Sequence, residues 1–195
     1  MKRIMLLSNN ANAEALFNWL EKKGYEVSLF HDPLTLEILD QYKPEFVISY
    51  NYRYLVKEEV IGRLGNRIIN LHTSYLPWNK GSSPNLWSFI DDTPKGVTIH
   101  RLEKGLDKGK IIVQKECRFD EDTETLASTY AKLNAEIVQL LKDNWDRIIS
   151  GEYELKEAEG AGSYHRTADL EALLGGRKID YSMTVSEFKK FLKQR

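Results

Sequence analysis

The sequence predicts an α/β protein with a Rossmann-like, mostly parallel sheet flanked by helices. Two observations predict this class. Short apolar runs of the length of buried strands alternate with segments whose apolar residues recur at helical spacing, and glycine or proline follows the helical segments. Strands that alternate with helices pair in parallel through crossover connections. Ligands of such sheets bind beyond the carboxyl ends of the strands, so polar residues at strand ends are candidate site residues.

The amino-terminal part of the chain contains most of this alternation. The predicted strands are the short apolar runs 3–7, 25–30, 46–49 and 68–71. A first helix lies between the first two strands and ends at Gly24. A second helix spans residues 34–42 and ends before Pro44, and a third spans residues 58–64 and ends before Gly65.

The middle of the chain is predicted to contain a loop, a helix and a strand pair. The loop covers residues 77–83, and Pro84 can open the helix that follows it. Residues 97–101 and 111–117 are predicted strands on either side of a second loop. That second loop carries Asp107, a candidate for site chemistry.

The carboxyl-terminal part begins with a long predicted helix. Asp122 or Thr123 is expected to cap it, and it continues to about residue 149 with one apolar face that should pack on the core. A short helix over residues 185–192 is expected to pack either on the rest of the chain or on a second subunit. A homodimer is therefore one arrangement that the sequence allows.

Composition argues against several classes of protein. The 28 basic and 29 acidic residues nearly cancel, so no net field draws the chain to nucleic acid or to an anionic membrane. Cys117 is the single cysteine, which excludes an internal disulfide and a multi-cysteine metal site. The histidines show no metal-ligand spacing, so no metal is expected. The chain lacks a membrane-spanning apolar run and a signal-peptide pattern, and a cytoplasmic location is predicted.

An amide, an imidazole and a carboxylate form the predicted catalytic set. Asn70 and His72 are two positions apart, so on a strand they point to the same face, and Asp107 can return to them from its separate loop. An amide can hold a developing oxyanion, and an imidazole can move a proton or share that charge. Asp107 can then fix the imidazole and accept the last proton. These are the groups needed to move an acyl group onto an amine.

The chain resembles the formyltransferase family that uses 10-formyltetrahydrofolate. The resemblance covers about residues 1–150, and it is an ordered set of short motifs rather than one motif. These motifs are Ile69-Asn70-Leu71-His72 with Ser74, Leu76 and Pro77, then Lys80-Gly81 with Pro84 and Trp87, then Thr93-Pro94 with Gly96-Val97-Thr98-Ile99-His100, and Gly105-Leu106-Asp107 with Gly109 and Ile111.

The resemblance implies the formyltransferase fold, a formyl donor and a set of site residues. The catalytic residues would be Asn70, His72 and Asp107, in a catalytic domain over residues 1–150 on which an extension, residues 151–195, packs. The donor would be 10-formyltetrahydrofolate. Its pterin would enter a slot whose expected lining is Tyr52, Arg53, Tyr54, Leu55, Leu76, Leu102, Glu103 and Leu106.

Departures from the better-known members narrow the expected acceptor. The chain leaves no room for the extra domain of the methionyl-tRNA enzymes, and its first loop, residues 8–12, lacks the phosphate-holding glycines of the glycinamide ribonucleotide enzymes. The resemblance is then to sugar-nucleotide N-formyltransferases and to the formylation domains of nonribosomal peptide synthetases. The expected acceptor is the primary amine of a nucleotide-linked amino-deoxysugar, and the alternative is an aminoacyl group on a carrier protein or another small amine.

The expected acceptor contacts lie in the loop that follows the catalytic strand. They are Trp78, Asn79, Lys80, Gly81 and Pro84. An aromatic ring can stack on a base, and a lysine can meet a diphosphate as a point charge. His100 is interpreted as a structural or lining residue. His165 is interpreted as a loop residue that either closes over a substrate or has no role.

Overall fold

The computed structural model describes residues 2–194 as an α/β fold. The strands are β1 (Arg3–Leu7), β2 (Glu26–Phe30), β3 (Phe46–Tyr50), β4 (Ile68–His72), β5 (Lys80–Gly81), β6 (Gly96–Arg101), β7 (Ile111–Glu116) and β8 (Tyr164–His165). The helices are α1 (Ala13–Lys22), α2 (Leu36–Tyr42), α3 (Glu58–Leu64), α4 (Pro84–Ile90), α5 (Leu126–Ser150), α6 (Thr167–Leu174) and α7 (Val185–Lys193), and a 3-10 turn spans Gly65–Arg67.

The main sheet has six strands in the order β2-β1-β3-β4-β6-β7. Its amino-terminal strands pair in parallel, β1 with β2 and β3, and β3 with β4. The backbone NH of Leu102 donates to the carbonyl of Ile68. This bond joins the end of β6 to the start of β4, so these two strands run in opposite directions. The sheet is mixed, and the predicted Rossmann-like, mostly parallel class is confirmed.

The chain divides into two compact units, each made of several chain segments. The first unit contains residues 1–72, 99–113 and 141–157. Its core includes a cluster in which β1, β3 and β4 meet α3, formed by Met5, Leu7, Val47, Val60, Leu64, Ile68 and their neighbours. A second part of this core centres on Trp145, which is 1% exposed and contacts Trp19, Tyr25 and Phe46 edge-to-face.

The second unit contains residues 73–98, 114–140 and 158–195. Its core cluster contains Leu86 and Phe89 of α4, Leu126 of α5, and Val185 and Phe188 of α7. The carboxyl-terminal helix α7 therefore packs on its own chain, which is the first of the two arrangements expected for it. The predicted homodimer, the cytoplasmic location and the domain boundary at residue 150 remain predictions.

Three local predictions differ from the structure. The predicted loop 77–83 contains β5, which pairs in parallel with the unpredicted β8. The long helix begins at Leu126, so the prediction of Asp122 or Thr123 as its cap is wrong. Thr125 occupies that position, because its Oγ1 accepts from the NH of Ser128 while its own NH donates to Ser128 Oγ. The short α6 was not predicted.

The described part of the chain, residues 2–194, contains no helix with the length and apolar character that crossing a membrane requires.

Candidate active site

The structure brings the three predicted catalytic side chains together in the first unit. Asn70 Nδ2 lies 3.3 Å from Asp107 Oδ1, and His72 Nδ1 lies 3.7 Å from the same oxygen. Alternate positions on β4 direct Asn70 and His72 to one face, as predicted. The side chains of His72 and Asp107 are only 8% and 7% exposed. These polar side chains are therefore largely shielded from solvent, and hydrogen bonds and charges act more strongly in such an environment than in water.

Asp107 reaches this cluster on the loop between β6 and β7. The loop closes where Arg101 NH donates to the carbonyl of Lys110. Asp107 has a positive φ of 49°, a conformation that aspartate tolerates better than most residues with a side chain. Gly109 lies close to the backbone of Arg101, and a Cβ at this position would overlap that residue's carbonyl oxygen. The Asp107-Lys108-Gly109 sequence thus supplies both the turn conformation and the close approach.

A fourth polar side chain, His100 on β6, belongs to the same cluster. Its Nε2 lies 3.2 Å from Asn70 Nδ2 and 3.6 Å from Asp107 Oδ1. The pairing of Leu102 with Ile68 sets the register that puts His100 opposite Asn70. Sequence reasoning interpreted His100 as structural or lining. Its place in the cluster follows from the register of β6 against β4, and this register cannot be read from one sequence.

Some of the predicted pterin residues have a structural role, and others are exposed and free to contact a ligand. Tyr52 is structural, because its hydroxyl donates to the carbonyl of Asp32 and accepts from the NH of Leu34. Burial raises the pKa of this phenol. Arg53 lies over the ring of Tyr54 at 4.7 Å, so these two exposed or half-exposed side chains cover each other.

The loops 51–57 and 102–107 expose apolar side chains in the first unit. Leu55 is 72% exposed and Leu106 is 40% exposed. Tyr52 and Leu102 both pack on the buried cluster formed around Val60 and Ile68, so the two loops share one support. Glu103 of the second loop is exposed.

Leu76 lies in the second unit and is 2% exposed. Its backbone is fixed at both ends, because its NH donates to Thr98 Oγ1 and its carbonyl accepts from Gln114 Nε2. The Leu76 side chain, predicted to line the pterin slot, therefore belongs to a segment whose backbone is held on both sides.

The predicted acceptor residues also lie in the second unit. Asn79 is buried, with its Nδ2 donating to Thr93 Oγ1 and its Oδ1 accepting from Ser163 Oγ, which indicates a structural role. Gly81 is required for close packing, because a Cβ there would overlap the carbonyl oxygen of His165. Pro84 is the first residue of α4. Trp78 and Lys80 remain half-buried and keep part of their surface.

His165 lies in a strand and not in a loop, so its predicted location is wrong. It lies on β8 with its side chain 13% exposed, and its Nε2 is 2.9 Å from Asp91 Oδ2. Its ring stacks on Trp87 with centroids 3.8 Å apart and planes 4° apart. His165 therefore links β8 to α4. The sequence around His165 does not indicate this contact, because Trp87 and Asp91 are distant in the chain.

Within the described residues, no group of three or more histidine, cysteine, aspartate and glutamate side chains is arranged to hold a metal ion. The cluster in the first unit offers four polar side chains for chemistry. These are an amide NH2 donor, two imidazoles and a carboxylate, which suit stabilisation of an oxyanion and transfer of a proton.

The chain matches known proteins over most of its length. A family model described as formyl transferase matches residues 3–143. The dTDP-4-amino-4,6-dideoxyglucose formyltransferase of Mycobacterium tuberculosis is 29% identical over 191 residues, which cover 91% of this chain and 78% of that protein. The methionyl-tRNA formyltransferase of Finegoldia magna is 28% identical over 142 residues, covering 70% of this chain and 46% of that protein.

Solved structures show the same likeness. The formyltransferase PseJ from Anoxybacillus kamchatkensis, in complex with UDP-4,6-dideoxy-4-formamido-L-AltNAc and tetrahydrofolate, is 39% identical with a TM-score of 0.87, and the match covers 95% of this chain and 96% of that one. A 4-N formyltransferase from Francisella tularensis has a TM-score of 0.81 at 21% identity, covering 100% and 87% of the two chains, and it shares the fold. Since the family model spans most of the sequence, the chain belongs to the formyl transferase family.

Proposed function

We propose that this protein transfers a formyl group from 10-formyltetrahydrofolate to the primary amine of a nucleotide-linked amino-deoxysugar. The observation that carries the proposal is the likeness to PseJ, which extends over nearly the whole of both chains. The PseJ structure holds a formamido sugar linked to UDP together with tetrahydrofolate. A formamide and tetrahydrofolate are the two products of such a transfer.

The acceptor is further proposed to be a UDP-linked 4-amino-4,6-dideoxysugar. Identity to PseJ is 39%, whereas identity to the mycobacterial enzyme that acts on a dTDP-linked 4-amino sugar is 29%. The sugar bound to PseJ and the sugar in the name of the mycobacterial enzyme both carry the nitrogen at position 4, which supports the 4-amine. The higher identity to PseJ supports uracil over thymine as the base of the nucleotide.

The cluster in the first unit supplies the proposed catalytic roles. The amine lone pair forms the new bond to the formyl carbon, the bond from that carbon to N10 breaks, and the proton that the amine loses is matched by the one that N10 gains. Asn70 donates its amide NH2 to the formyl oxygen as charge develops there. His72 shares that charge or carries a proton, and Asp107 accepts the proton from the attacking nitrogen. The short distances from Asn70 and His72 to Asp107 Oδ1 support this division of roles.

The loops 51–57 and 102–107 fit the flat ring of the formyl donor. Leu55 and Leu106 expose apolar surface on loops that rest on one buried cluster, and apolar side chains are the common lining of ring-binding sites. Backbone groups of the same loops can meet the polar edge of a pterin. The donor supplies the formyl group, and these residues orient it.

Trp78 and Lys80 are the proposed acceptor contacts. Both side chains are partly exposed. The backbone between them is held in place, because the Asn79 side chain hydrogen-bonds to Thr93 and Ser163. A lysine matches a diphosphate as a point charge, and stacking of a base on an aromatic ring is worth about 1–3 kcal/mol. Gly81 and Pro84 shape the segment that carries them.

A panel of acceptors tests the function. The purified chain is incubated with 10-formyltetrahydrofolate and either a UDP-linked 4-amino-4,6-dideoxysugar, its dTDP-linked counterpart, a 3-amino isomer, glycinamide ribonucleotide or an aminoacyl carrier protein. Release of tetrahydrofolate and a mass gain of one CO on the acceptor are measured. The highest kcat/KM is expected for the UDP-linked 4-amino sugar. Turnover of the carrier-bound group alone contradicts the sugar assignment but leaves formyl transfer standing.

A lysine pair tests the acceptor contact. Lys80→Met is expected to raise KM for the sugar nucleotide about tenfold, roughly the 1.4 kcal/mol of one tenfold step in affinity, with KM for the folate unchanged. Lys22→Met, in the last turn of α1, is the matched control and should change neither value. Equal effects of the two variants on the sugar nucleotide would exclude Lys80 as a phosphate contact.

A further inference from the structure

We propose that His100 is a positioning residue of the transfer reaction, which acts by holding one hydrogen of the Asn70 amide so that the other is aimed at the formyl oxygen. This inference rests on the proposed function. It gives a role to a histidine that is 1% exposed and that the catalytic roles above leave unused. His100 and Asn70 both belong to the first unit, on the neighbouring strands β6 and β4.

The hydrogen bonds of His100 define its tautomer. Nδ1 lies 2.7 Å from the carbonyl oxygen of Arg101. A carbonyl oxygen only accepts hydrogen bonds, so Nδ1 carries the hydrogen. In the neutral ring, Nε2 is then an acceptor, and the group 3.2 Å away from it is the Asn70 amide nitrogen. His100 therefore accepts a hydrogen bond from Asn70.

The hydrogen bond from His100 Nδ1 to the Arg101 carbonyl requires a glycine at position 109. A Cβ at Gly109 would overlap the Arg101 carbonyl oxygen and would lie 3.3 Å from His100 Nδ1. The absence of a side chain lets that carbonyl face His100 and accept its Nδ1 hydrogen. The backbone thereby sets the orientation of the ring, and the ring sets the orientation of the amide.

The Asn70 amide, rather than Asp107, is the hydrogen-bond partner of His100 Nε2. Its Nε2 is 3.6 Å from Asp107 Oδ1, too long for a hydrogen bond. The Asn70 NH2 lies between these two acceptors, at 3.2 Å from the ring nitrogen and 3.3 Å from the carboxylate. One amide hydrogen serves each acceptor, and the amide separates the lone pair of the ring from the charge on Asp107.

This division of the two amide hydrogens has a consequence for the reaction. The hydrogen bond to His100 anchors one N–H of the amide, about which the other N–H can turn. The hydrogen directed to Asp107 is the one that transfers its bond to the formyl oxygen when the donor binds. Asp107 Oδ1 is then released from the amide and is ready to accept the proton from the attacking amine. His100 thus couples oxyanion stabilisation to proton acceptance without contacting the reacting atoms.

Two substitutions of similar size separate this role from simple packing. His100→Gln can place an amide oxygen where Nε2 lies and so keep the acceptor for Asn70. His100→Asn can keep the donor to the Arg101 carbonyl but loses that acceptor. His100→Asn is expected to lower kcat about 100-fold, the order of the loss of one oxyanion donor, with little change in either KM. His100→Gln is expected to stay within about threefold of the wild type, since the acceptor is kept.

The outcomes that overturn the inference are specific. Equal losses of kcat in both variants, or a smaller loss in His100→Asn than in His100→Gln, would show that packing or the Nδ1 hydrogen bond matters rather than the amide contact. Nitrogen NMR of the ligand-free wild type gives a second test that does not depend on a variant folding. It should report His100 with its hydrogen on Nδ1 and a bare Nε2, and the opposite tautomer refutes the proposal.

The same design separates the inference from the proposed function. If the wild type transfers no formyl group to any amine, the function fails, while the tautomer measurement still decides whether His100 accepts from Asn70. If the wild type is active and the two variants behave alike, the function stands and the positioning role of His100 is refuted.

Discussion

At the residue scale, one carboxylate oxygen organises three other side chains. Asp107 Oδ1 lies within 3.3 Å of the Asn70 amide nitrogen, and within 3.7 Å of the His72 imidazole and 3.6 Å of the His100 imidazole. These groups differ in their hydrogen bonding, because the amide NH2 only donates hydrogen bonds, whereas an imidazole nitrogen can donate or accept one. Their arrangement around one oxygen couples their orientations, so substitutions within the cluster should not be additive.

Removal of the proposed proton acceptor should nearly abolish transfer. Asp107→Asn keeps the size of the side chain but removes the charge that accepts the proton, and His72→Ala removes the imidazole. Each is expected to lower kcat by about 100- to 1,000-fold, the range found for a lost oxyanion donor or general base. Circular dichroism controls for folding. A folded variant that keeps more than about a tenth of the wild-type rate contradicts the assigned roles.

Cys117 should react slowly with alkylating reagents. The thiol is half-buried, and burial raises its pKa, with the Glu136 carboxylate acting in the same direction. A raised pKa leaves less thiolate at a given pH, and the thiolate is the nucleophile. Iodoacetamide at about pH 8 should therefore modify the folded chain more slowly than the urea-unfolded chain, as followed by mass spectrometry. Equal rates in the two states would contradict the assignment.

At the element scale, local patterns predicted the parallel part of the fold well. The third helix was predicted as residues 58–64 and is Glu58–Leu64, and the predicted strand 68–71 is Ile68–His72. Apolar period and helix-ending residues are local properties, and they sufficed for these elements. The features that were missed are non-local. β5 exists because β8 pairs with it, and His100 belongs to the cluster because β6 pairs with β4.

The same distinction explains the candidate site. Asn70, His72 and Asp107 were predicted from their types and their order in the chain, and the structure brings them together. The roles of Asn79 and His165 could not be predicted, since Asn79 is held by Ser163 and His165 by Asp91. These partners are remote in sequence, and a single chain carries no signal of which residues meet.

The beginning of α5 gives a prediction at this scale. Thr125 and Ser128 exchange hydrogen bonds at the start of this helix, whereas Thr123 lies in the turn before it. Thr125→Ala should lower the free energy of unfolding by about 0.5–2 kcal/mol, the usual effect of losing a capping side chain. Thr123→Ala is the matched control and should change it by less than about 0.5 kcal/mol. Urea denaturation measures both, and a larger loss for Thr123→Ala would place the cap where the sequence first suggested it.

At the scale of the whole molecule, the chain builds each compact unit from segments that are distant in sequence. The second unit joins residues 73–98 and 114–140 to residues 158–195. A division of the chain at residue 150 into a catalytic domain and an extension treats the last segment as an addition to a finished domain. The burial of α7 gives a different expectation, because Val185 and Phe188 are 0% exposed among Leu86, Phe89 and Leu126.

Deletion of residues 158–195 should therefore destabilise the remaining chain severely. The deletion removes β8, α6 and α7 and exposes the apolar surfaces of α4 and α5 that Val185 and Phe188 cover. Burial of one such side chain is worth about 1.5–3 kcal/mol, and the half-buried Leu170, Ile179, Phe191 and Leu192 add to the same cluster. The sum approaches the roughly 5–15 kcal/mol by which a whole domain is stable.

The expected result is a truncated chain that unfolds at a much lower urea concentration than the full chain or is recovered only as aggregate. Phe188→Ala in the full chain provides the graded comparison and should lose about 3–5 kcal/mol, because it leaves a cavity beside Leu86 and Phe89. Lys190→Ala, at an exposed position of the same helix, is its control and should be nearly neutral. A chain of residues 1–157 with an unchanged urea midpoint would show that residues 158–195 are an appendage, as the division at residue 150 supposes.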